Sequence, residues 1–331
     1  MKQKQSLYEC FPKALKDALF PWFQSKYHLQ EIRMRTNQPL LLRCDGEEFG
    51  IDGQGLRVRE REHAKIITAT EIQDTLSYIS DYSLYAYEEE MKQGYLTTKN
   101  GCRIGICGRA IVDDGKIKNI HPISSLNIRF PYEMKGCGSL LLDYICKENT
   151  VLSTLIVSPP MCGKTTLLRD LIRQISDGGE VISCNQKERS KRREGKTVGV
   201  VDERGEISAC HLGVPQHDLG IRTDVLDGCP KVQGMMMLVR TMAPDVIAVD
   251  EIGSNEELDA MRYGMNCGCS ILATAHASSL KELENKEVFQ RAKKEQVFKR
   301  YVVLSNRHGA GTIEEIYDGN GELLCSIGRR G

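Results

Sequence analysis

The segment Ser158–Thr166 constrains the fold more than any other part of this 331-residue chain. It reads SPPMCGKTT and lies between a short apolar stretch, Thr154–Val157, and a longer periodic one, Lys164–Ile175. The first stretch is typical of a buried strand and the second of an amphipathic helix. The periodicity predicts an apolar face made by Leu167, Leu168, Leu171, Ile172 and Ile175, with Arg169, Asp170 and Arg173 pointing away.

A loop between a strand and a helix that contains Gly163, Lys164 and Thr165 is typical of a phosphate-binding loop. Backbone N–H groups at the helix N-terminus can bind phosphate oxygens of ATP, the lysine can reach the β and γ phosphates, and the Thr165 hydroxyl can bind Mg²⁺. A strand–turn–helix without ligand is the alternative. The predicted nucleotide-binding residues are Ser158, Pro159, Pro160, Met161, Cys162, Gly163, Lys164, Thr165 and Thr166.

The loop departs from the usual phosphate-loop pattern at two positions. Ser158 stands where the pattern has its first glycine, and Met161 occupies a position that is often glycine. If position 161 requires a positive φ, its side chain costs on the order of 1 kcal/mol. ATP is still expected to bind, and Met161→Gly is expected to tighten the binding.

A second motif is the apolar stretch from Pro244 that ends in Asp250 and Glu251. In phosphate-loop NTPases the first carboxylate of such a pair holds the Mg²⁺ shell and the next polarises the attacking water. We therefore predict Asp250 as a metal-site residue together with Thr165, and Glu251 as the catalytic base. A solvated acidic turn is the alternative.

Two further predicted strands end in polar residues. Val198–Val201 leads to Glu203, and Ile271–Thr274 leads to His276. Ligand sites in open α/β sheets lie outside the carboxyl ends of the strands, so all these strand ends are expected to meet at one crevice. Glu203 and His276 are predicted to join Glu251 there in catalysis, although a histidine at a strand end is often structural.

The order of strands and helices predicts an α/β nucleotide-binding core with a mainly parallel sheet, preceded by a smaller α+β domain. The sequence changes near residues 133–150 from short β-rich segments to alternating strands and helices. We therefore place the domains at 1–145 and 146–331. In the first domain, strands are expected at 31–35, 40–43, 103–112 and 125–130, and a helix at 69–87. At the C-terminal end, 301–304, 312–317 and 322–327 are expected to form antiparallel β-structure.

Composition excludes several classes of protein. Lys and Arg number 45 and so do Asp and Glu, so no global positive charge recruits nucleic acid. Thirteen scattered cysteines differ from a secreted disulfide scaffold and are expected to be reduced thiols. No signal peptide or membrane-spanning stretch is apparent, so a cytoplasmic location is expected, with peripheral membrane contact.

Taken together, these motifs resemble those of the RecA-like secretion-type ATPases, and more closely those of the stage III sporulation AA family. The resemblance covers most of the chain between about residues 78 and 277. It is carried by SLYAYEEEMKQGY, RIGICGRAI, SSLNIRFP, SPPMCGKTTLLRDLI, VGVVDERGEI, PQHDLGIRTDVLDGCPK, PDVIAVDEIG and TAHA.

The resemblance implies a Mg²⁺-dependent ATPase that forms a ring, expected to be a homohexamer, with the first domain covering nucleotide held by the second. It also implies a membrane-protein partner in a channel between mother cell and forespore, on the mother-cell side. Arginines of the first domain or of a neighbouring subunit are expected to complete the site. The candidates are Arg103, Arg109, Arg129, Arg204, Arg222 and Arg240, of which Arg240 is taken as the catalytic one.

Two other functions stay open from the sequence. One is a RecA-like ATPase that depends on single-stranded nucleic acid, although neither an aromatic stacking stripe nor a strongly basic domain supports it. The other is a nucleotide-binding scaffold ring with little turnover, which the changes at Ser158 and Met161 keep open. The basic stretch Lys187–Lys196 is interpreted as a solvated loop or as a contact with anionic lipid or nucleic acid.

Overall fold

The structure, a computed structural model, describes residues 7–80, 82–83, 87–99, 101–130, 134–147, 149–180, 192–309 and 311–327. The chain forms two compact units, Met1–Tyr132 and Glu133–Gly331. The division falls earlier than the predicted one after residue 145. The physical reason is that Leu141, Leu142 and Ile145 pack into a core cluster of the second unit.

The first unit is a seven-stranded sheet in which every pair of neighbours is antiparallel. The sheet order is β4-β3-β2-β1-β7-β6-β5. Its strands are β1 (Leu29–Arg35), β2 (Leu41–Cys44), β3 (Glu47–Ile51), β4 (Arg57–Val58), β5 (Tyr95–Thr97), β6 (Arg103–Asp113) and β7 (Lys116–Arg129). Helices α1 (Lys13–Gln24), α2 (Ala69–Ile79) and α3 (Glu88–Lys92) contribute to the same apolar core, with a 3₁₀ turn at Arg61–His63.

The helix predicted for residues 69–87 is shorter in the structure. Helix α2 begins with a capping box between Thr68 and Glu71 and ends at Ile79. Tyr82 has a left-handed φ of 59° and donates its backbone N–H to the Ser77 carbonyl, which stops the helical ladder. Residues 81 and 84–86 lie outside the described part of the chain.

The second unit contains an eight-stranded sheet with the order β14-β13-β15-β16-β10-β17-β18-β19. The pairs from β14 to β17 are parallel, and the last two pairs are antiparallel, as predicted for the C-terminal segment. The strands are β10 (Thr154–Ser158), β13 (Val198–Asp202), β14 (Thr223–Asp227), β15 (Val246–Val249), β16 (Ser270–His276), β17 (Arg300–Ser305), β18 (Thr312–Asp318) and β19 (Leu323–Ser326). Two further antiparallel pairs join β8 (Cys146–Lys147) with β9 (Thr150–Val151) and β11 (Gly179–Glu180) with β12 (Arg192–Arg193).

Helices cover both faces of this sheet, because alternate residues of its buried strands belong to two different core clusters. On one face pack α4 (Ser139–Ile145) and α5 (Lys164–Asp177). On the other pack α6 (Lys231–Thr241), α7 (Asn255–Asn266), α8 (Leu280–Glu284) and α9 (Glu287–Lys294). The result is the three-layer α/β arrangement predicted for the second domain.

This layering places the carboxyl ends of β10, β13, β15 and β16 at one edge of the sheet, with α5 starting there. Of the predicted basic stretch, residues 187–191 lie outside the described part of the chain. In the described ranges, none of the helices combines the length and apolar character needed to span a bilayer. The cysteines that the structure describes are free thiols.

Candidate functional site

The loop between β10 and α5 turns sharply at two residues with positive φ. Gly163, at the N-cap of α5, has φ 82°, and Met161 has φ 61° with a side chain that is 89% exposed. Cys162 between them is buried, and its carbonyl accepts the backbone N–H of Gly311 at 2.8 Å. Position 161 is therefore one where the conformation favours glycine and the side chain gains no burial in return.

Lys164, the first residue of α5, is buried and lies below this loop. Its Nζ is 3.3 Å from the carbonyl oxygens of both Ser158 and Pro159 and 3.0 Å from Nδ1 of His276. Burial lowers the pKa of the Lys164 ammonium, while the carboxylates of Asp250 and Glu251 act in the opposite direction. The lysine thus lies among neutral acceptors, with two acidic groups close enough to stabilise its charge.

Thr165 and Asp250 meet across the sheet edge. The Thr165 hydroxyl donates to Oδ2 of Asp250 at 2.7 Å, and the Thr274 hydroxyl donates to Oδ1 of the same carboxylate. These are hard oxygen donors of the kind that Mg²⁺ prefers, and Mg²⁺ usually takes only one or two protein ligands alongside water and phosphate oxygens. The pair Thr165 and Asp250 therefore fits a Mg²⁺ ion bound with a nucleotide.

Glu251 follows directly and has a left-handed φ of 52°. Its N–H donates to Oγ1 of Thr274 at 2.8 Å, and its carbonyl accepts Nζ of Lys231 at 2.6 Å. Its carboxylate lies 2.6 Å from Nε2 of His276 and 3.3 Å from a guanidinium nitrogen of Arg204. Hydrogen bonds and ion pairs therefore hold both the backbone and the side chain of Glu251.

His276 connects the lysine to the glutamate. An ammonium can only donate, so Lys164 donates to Nδ1 of the imidazole, and the ring proton then lies on Nε2, facing the Glu251 carboxylate. This assignment describes a neutral histidine between a cation and an anion. The predicted site residues Lys164, Thr165, Asp250, Glu251 and His276 are therefore brought together.

Glu203 lies along the same crevice, which is lined by the ends of β13 and β15 and by Lys231. Its carboxylate is 3.9 Å from Lys231 and its side chain is 38% exposed. The preceding Asp202 is buried and accepts the backbone N–H groups of Glu206, Ile207 and Ser208 as well as the Ser208 hydroxyl. Glu203 is thus a crevice residue, whereas Asp202 shapes the loop that carries it.

The prediction that Arg169 and Asp170 point away from the buried, apolar face of the helix was wrong. Arg169 is buried and donates to the carbonyls of Ile207 and Glu206 at 2.8 Å each. Asp170 is buried and accepts the backbone N–H groups of Gly136 and Gly138. Both charges are satisfied by neighbouring backbone, which apolar periodicity does not register.

Arg240 is not brought to the crevice within one chain. It lies in the last turn of α6, which starts near Glu251 and runs back along the sheet, and ten residues of helix correspond to about 15 Å. Its guanidinium lies 5.9 Å from the ring of Tyr263. Arg222 is likewise distant, because it binds Ser176 near the end of α5.

Of the arginines named from sequence, Arg204 is the one that contacts Glu251 among the described side chains of the second unit. Arg103, Arg109 and Arg129 lie on β6 and β7 of the first unit, where Arg103 stacks on the ring of Tyr95 and Arg129 pairs with Glu31. Sequence reasoning assigned no role to Lys231 and Thr274. Only their positions in the sequence could have indicated them. Lys231 is the first residue of the helix after β14, and Thr274 lies two residues before His276.

Comparisons with known proteins identify the family. The family model described as "Sporulation stage III, protein AA" matches residues 1–324. A curated relative, the stage III sporulation protein AA of Bacillus subtilis (strain 168), is 38% identical over 317 residues, which are 96% of this chain and 95% of the relative. This agrees with the family indicated by the sequence motifs.

Two solved structures share the fold. The Yersinia pseudotuberculosis ATPase DotB has a TM-score of 0.55 at 12% identity, covering 88% of this chain and 76% of that chain. The pilus retraction motor PilT with bound ADP has a TM-score of 0.50 at 12% identity, covering 83% and 74%. The predicted RecA-like phosphate-loop fold is confirmed. The chain belongs to the sporulation stage III protein AA family.

Proposed function

We propose that this chain is a Mg²⁺-dependent ATP hydrolase that drives a secretion-like channel during sporulation. One observation carries the proposal: the loop that starts α5 places Thr165 against Asp250 and links Lys164 through His276 to Glu251. Each of these groups matches one task of ATP hydrolysis, namely metal binding, phosphate binding and activation of water. Membership of a sporulation family and a fold shared with ATPases support the biological context.

Binding of ATP would use the backbone N–H groups of residues 161–166, which lie at the positive end of the α5 dipole. Lys164 would exchange the carbonyls of Ser158 and Pro159 for phosphate oxygens. Thr165 and Asp250 would hold Mg²⁺, which when bound neutralises charge on the phosphates. Their mutual hydrogen bond keeps both oxygens in place for that task.

Hydrolysis would use Glu251 as the group that orients a water molecule and accepts its proton. His276 donates Nε2–H to the Glu251 carboxylate and so fixes its direction, while its Nδ1 accepts from Lys164. A shift of Lys164 toward phosphate would therefore alter the hydrogen bonding of the base through one imidazole. Glu203 and Arg204 line the rest of the crevice and would tune its charge.

The motor would work as a homohexameric ring at the cytoplasmic face of the mother-cell membrane, bound to a membrane protein of the channel. In this proposal the first unit covers the nucleotide, and an arginine from it or from a neighbouring subunit completes the site. The support is the sporulation family, together with the fold that this chain shares with PilT, a pilus retraction motor. Arg240 is exposed in the last turn of α6, and in this proposal it serves the site of a neighbouring subunit.

The test is the ATPase rate of the full chain against protein concentration, with and without membrane vesicles. We expect specific activity to rise as the ring assembles and Lys164→Ala to lower turnover at least ~100-fold, because the cation that binds phosphate is lost. Absence of turnover at every concentration would replace the motor with a scaffold ring. Stimulation by single-stranded DNA, rather than by vesicles, would indicate a nucleic-acid-dependent ATPase.

A further inference from the structure

We propose that Lys231 is a positioning residue that holds the peptide of Glu251 in its left-handed conformation and thereby aims the carboxylate into the crevice. This inference rests on the proposed function, because it concerns the group proposed as catalytic base. Lys231 is the first residue of α6 and its side chain is only 13% exposed. No sequence motif assigned it a role.

The need for such a residue follows from the geometry of β15. Successive side chains of a strand point to opposite faces, so Asp250 and Glu251 would diverge if the chain continued in an extended conformation. Instead, Glu251 adopts φ 52°, and both carboxylates reach the same edge: Asp250 contacts Thr165 and Glu251 contacts His276. Left-handed backbone is unfavourable for a residue with a Cβ, and surrounding contacts must offset its cost.

Those contacts hold both ends of the residue. The N–H of Glu251 donates to the Thr274 hydroxyl, and the next N–H, of Ile252, donates to the Thr274 carbonyl at 2.9 Å. The carbonyl of Glu251 accepts the Lys231 ammonium at 2.6 Å, a charge-assisted hydrogen bond. Thr274 on β16 therefore holds the peptide before Glu251 and the N–H of the peptide after it, and Lys231 on α6 holds the carbonyl of that second peptide.

The ammonium of Lys231 is itself held in place by acidic neighbours. It lies 3.3 Å from Glu257 and 3.9 Å from Glu203. Glu257 also accepts the N–H groups of Gly253 and Ser254, which follow Glu251 in the same turn. Lys231 and Glu257 together thus fix the turn from β15 to α7 immediately after the proposed base.

A role as counter-ion to Glu203 and Glu257 is the competing explanation, and kinetics distinguish the two. We expect Lys231→Met to lower kcat about tenfold while the Kd for ATP stays within about twofold, since the phosphate-binding groups are unchanged. Lys231→Arg should restore part of kcat, because a guanidinium keeps the charge but not the fit to one carbonyl. Full recovery with Arg would contradict the positioning role.

Lys299→Met is the matched control, since Lys299 is an exposed lysine of the same unit that precedes β17 and contacts Gln296. It should leave kcat and Kd unchanged. An equal fall in kcat in Lys299→Met and Lys231→Met would show a general loss of positive charge and overturn the proposal.

A second measurement does not depend on turnover. Lys231→Met is combined with Glu251→Ala, which keeps a Cβ at the left-handed position, and separately with Glu251→Gly, which has no Cβ. Both remove the carboxylate, so the charge effects of Lys231 on Glu203 and Glu257 cancel between the two backgrounds. We expect the loss of Tm from Lys231→Met to be about 3 °C smaller in the Glu251→Ala background, because alanine, unlike glycine, recovers the cost of the left-handed conformation once the carbonyl is no longer held.

Equal Tm losses in the two backgrounds would overturn the positioning role even if the wild-type chain hydrolyses ATP. Conversely, a wild-type chain without turnover would reject the proposed function, while a Tm difference between the backgrounds would still support the hold on residue 251. The two failures are therefore distinguishable.

Discussion

Strands β13 and β15 are neighbours in the sheet, and the chain reaches an Asp-Glu dipeptide at the carboxyl end of each, yet the two pairs of carboxylates have different roles. Val201 pairs with Val249 in register, so Asp202 and Asp250 leave the sheet side by side. Asp202 is 2% exposed and is occupied by N–H and hydroxyl donors of its own loop. Asp250 is partly exposed and contacts two hydroxyl groups from other elements.

The donors around a carboxylate, more than its place on a strand, therefore decide its role. The backbone N–H groups of Ile207 and Ser208 hold Asp202 in a fixed place, because a backbone donor cannot rotate toward another ligand. Hydroxyl groups such as that of Thr165 can turn to another ligand, so the oxygens of Asp250 are available to a metal ion. The glutamates differ as well, since a positive φ directs only Glu251 toward His276.

Substitution of the two glutamates should change kcat by very different amounts. Glu251→Gln should reduce kcat by about 10² to 10⁴ with ATP binding retained, because an amide cannot accept the proton of the attacking water. Glu203→Gln should reduce kcat less than about tenfold. The check is steady-state turnover together with ATP binding by calorimetry, and comparable losses in the two variants would make the two strand ends functionally equivalent.

The next effect separates the two aspartates by stability. Asp202→Asn should lower the free energy of unfolding by about 3 kcal/mol, because an NH₂ group would face N–H donors in a buried site. Asp250→Asn should cost less than about 1 kcal/mol, since hydroxyl partners can reorient. Urea denaturation at neutral pH measures both, and a larger loss at position 250 would reverse the assignment of roles.

A third prediction extends the comparison to Asp170, another carboxylate held by backbone. Burial alone raises the pKa of Asp170, but the N–H groups of Gly138 and Gly136 and the guanidinium of Arg173 outweigh it, so the pKa lies below its usual value. A lowered folded pKa contributes stability that is present above the unfolded pKa of about 4 and is lost as the pH falls through the folded pKa. Asp170→Asn should therefore flatten the decline of stability below about pH 4, measured by urea denaturation across a pH series. An unchanged slope would show that Asp170 is not linked to folding.

The smallest predicted change is in the ATP affinity when Met161, in the loop between β10 and α5, is substituted. Met161→Gly should tighten ATP binding about threefold to fivefold, because it removes the cost of a left-handed residue whose side chain is exposed. Ser158→Gly is the control: Ser158 is buried with its hydroxyl bonded to the Pro159 carbonyl, so no gain is expected. Unchanged or weaker affinity in Met161→Gly would show that strain at position 161 does not limit binding.

The parts of this molecule that follow from sequence are those set by local pattern. The sequence predicts the buried strands β10, β13, β15 and β16 to within two residues at each end, and the loop before α5, because apolar runs that stop at polar residues leave a clear signal. Strand β14 was not predicted, because Thr223–Asp227 contains two aspartates and little apolar surface. It forms only because β13 offers it a parallel edge.

Local pattern does not show contacts between side chains and partners from distant parts of the chain. Arg169 and Asp170 look like solvent-facing charges in a helical pattern, and only the backbone of the 206–207 loop and of Gly136–Gly138 makes them buried. Arg240 lies ten positions before Asp250 in the sequence, but it stands in the last turn of α6, away from the crevice that Asp250 lines. Lys231 gained its role from a single carbonyl twenty positions away along the chain.

The hydrogen bonds of Lys164 have a consequence for how affinity should be understood. Two carbonyls and an imidazole already accept hydrogen bonds from its ammonium. Phosphate oxygens that bind there would therefore replace existing acceptors. The measured ATP affinity then reports the difference between two sets of acceptors. Changing the acceptors alone, for example at His276, would shift that affinity with every phosphate-binding group still in place.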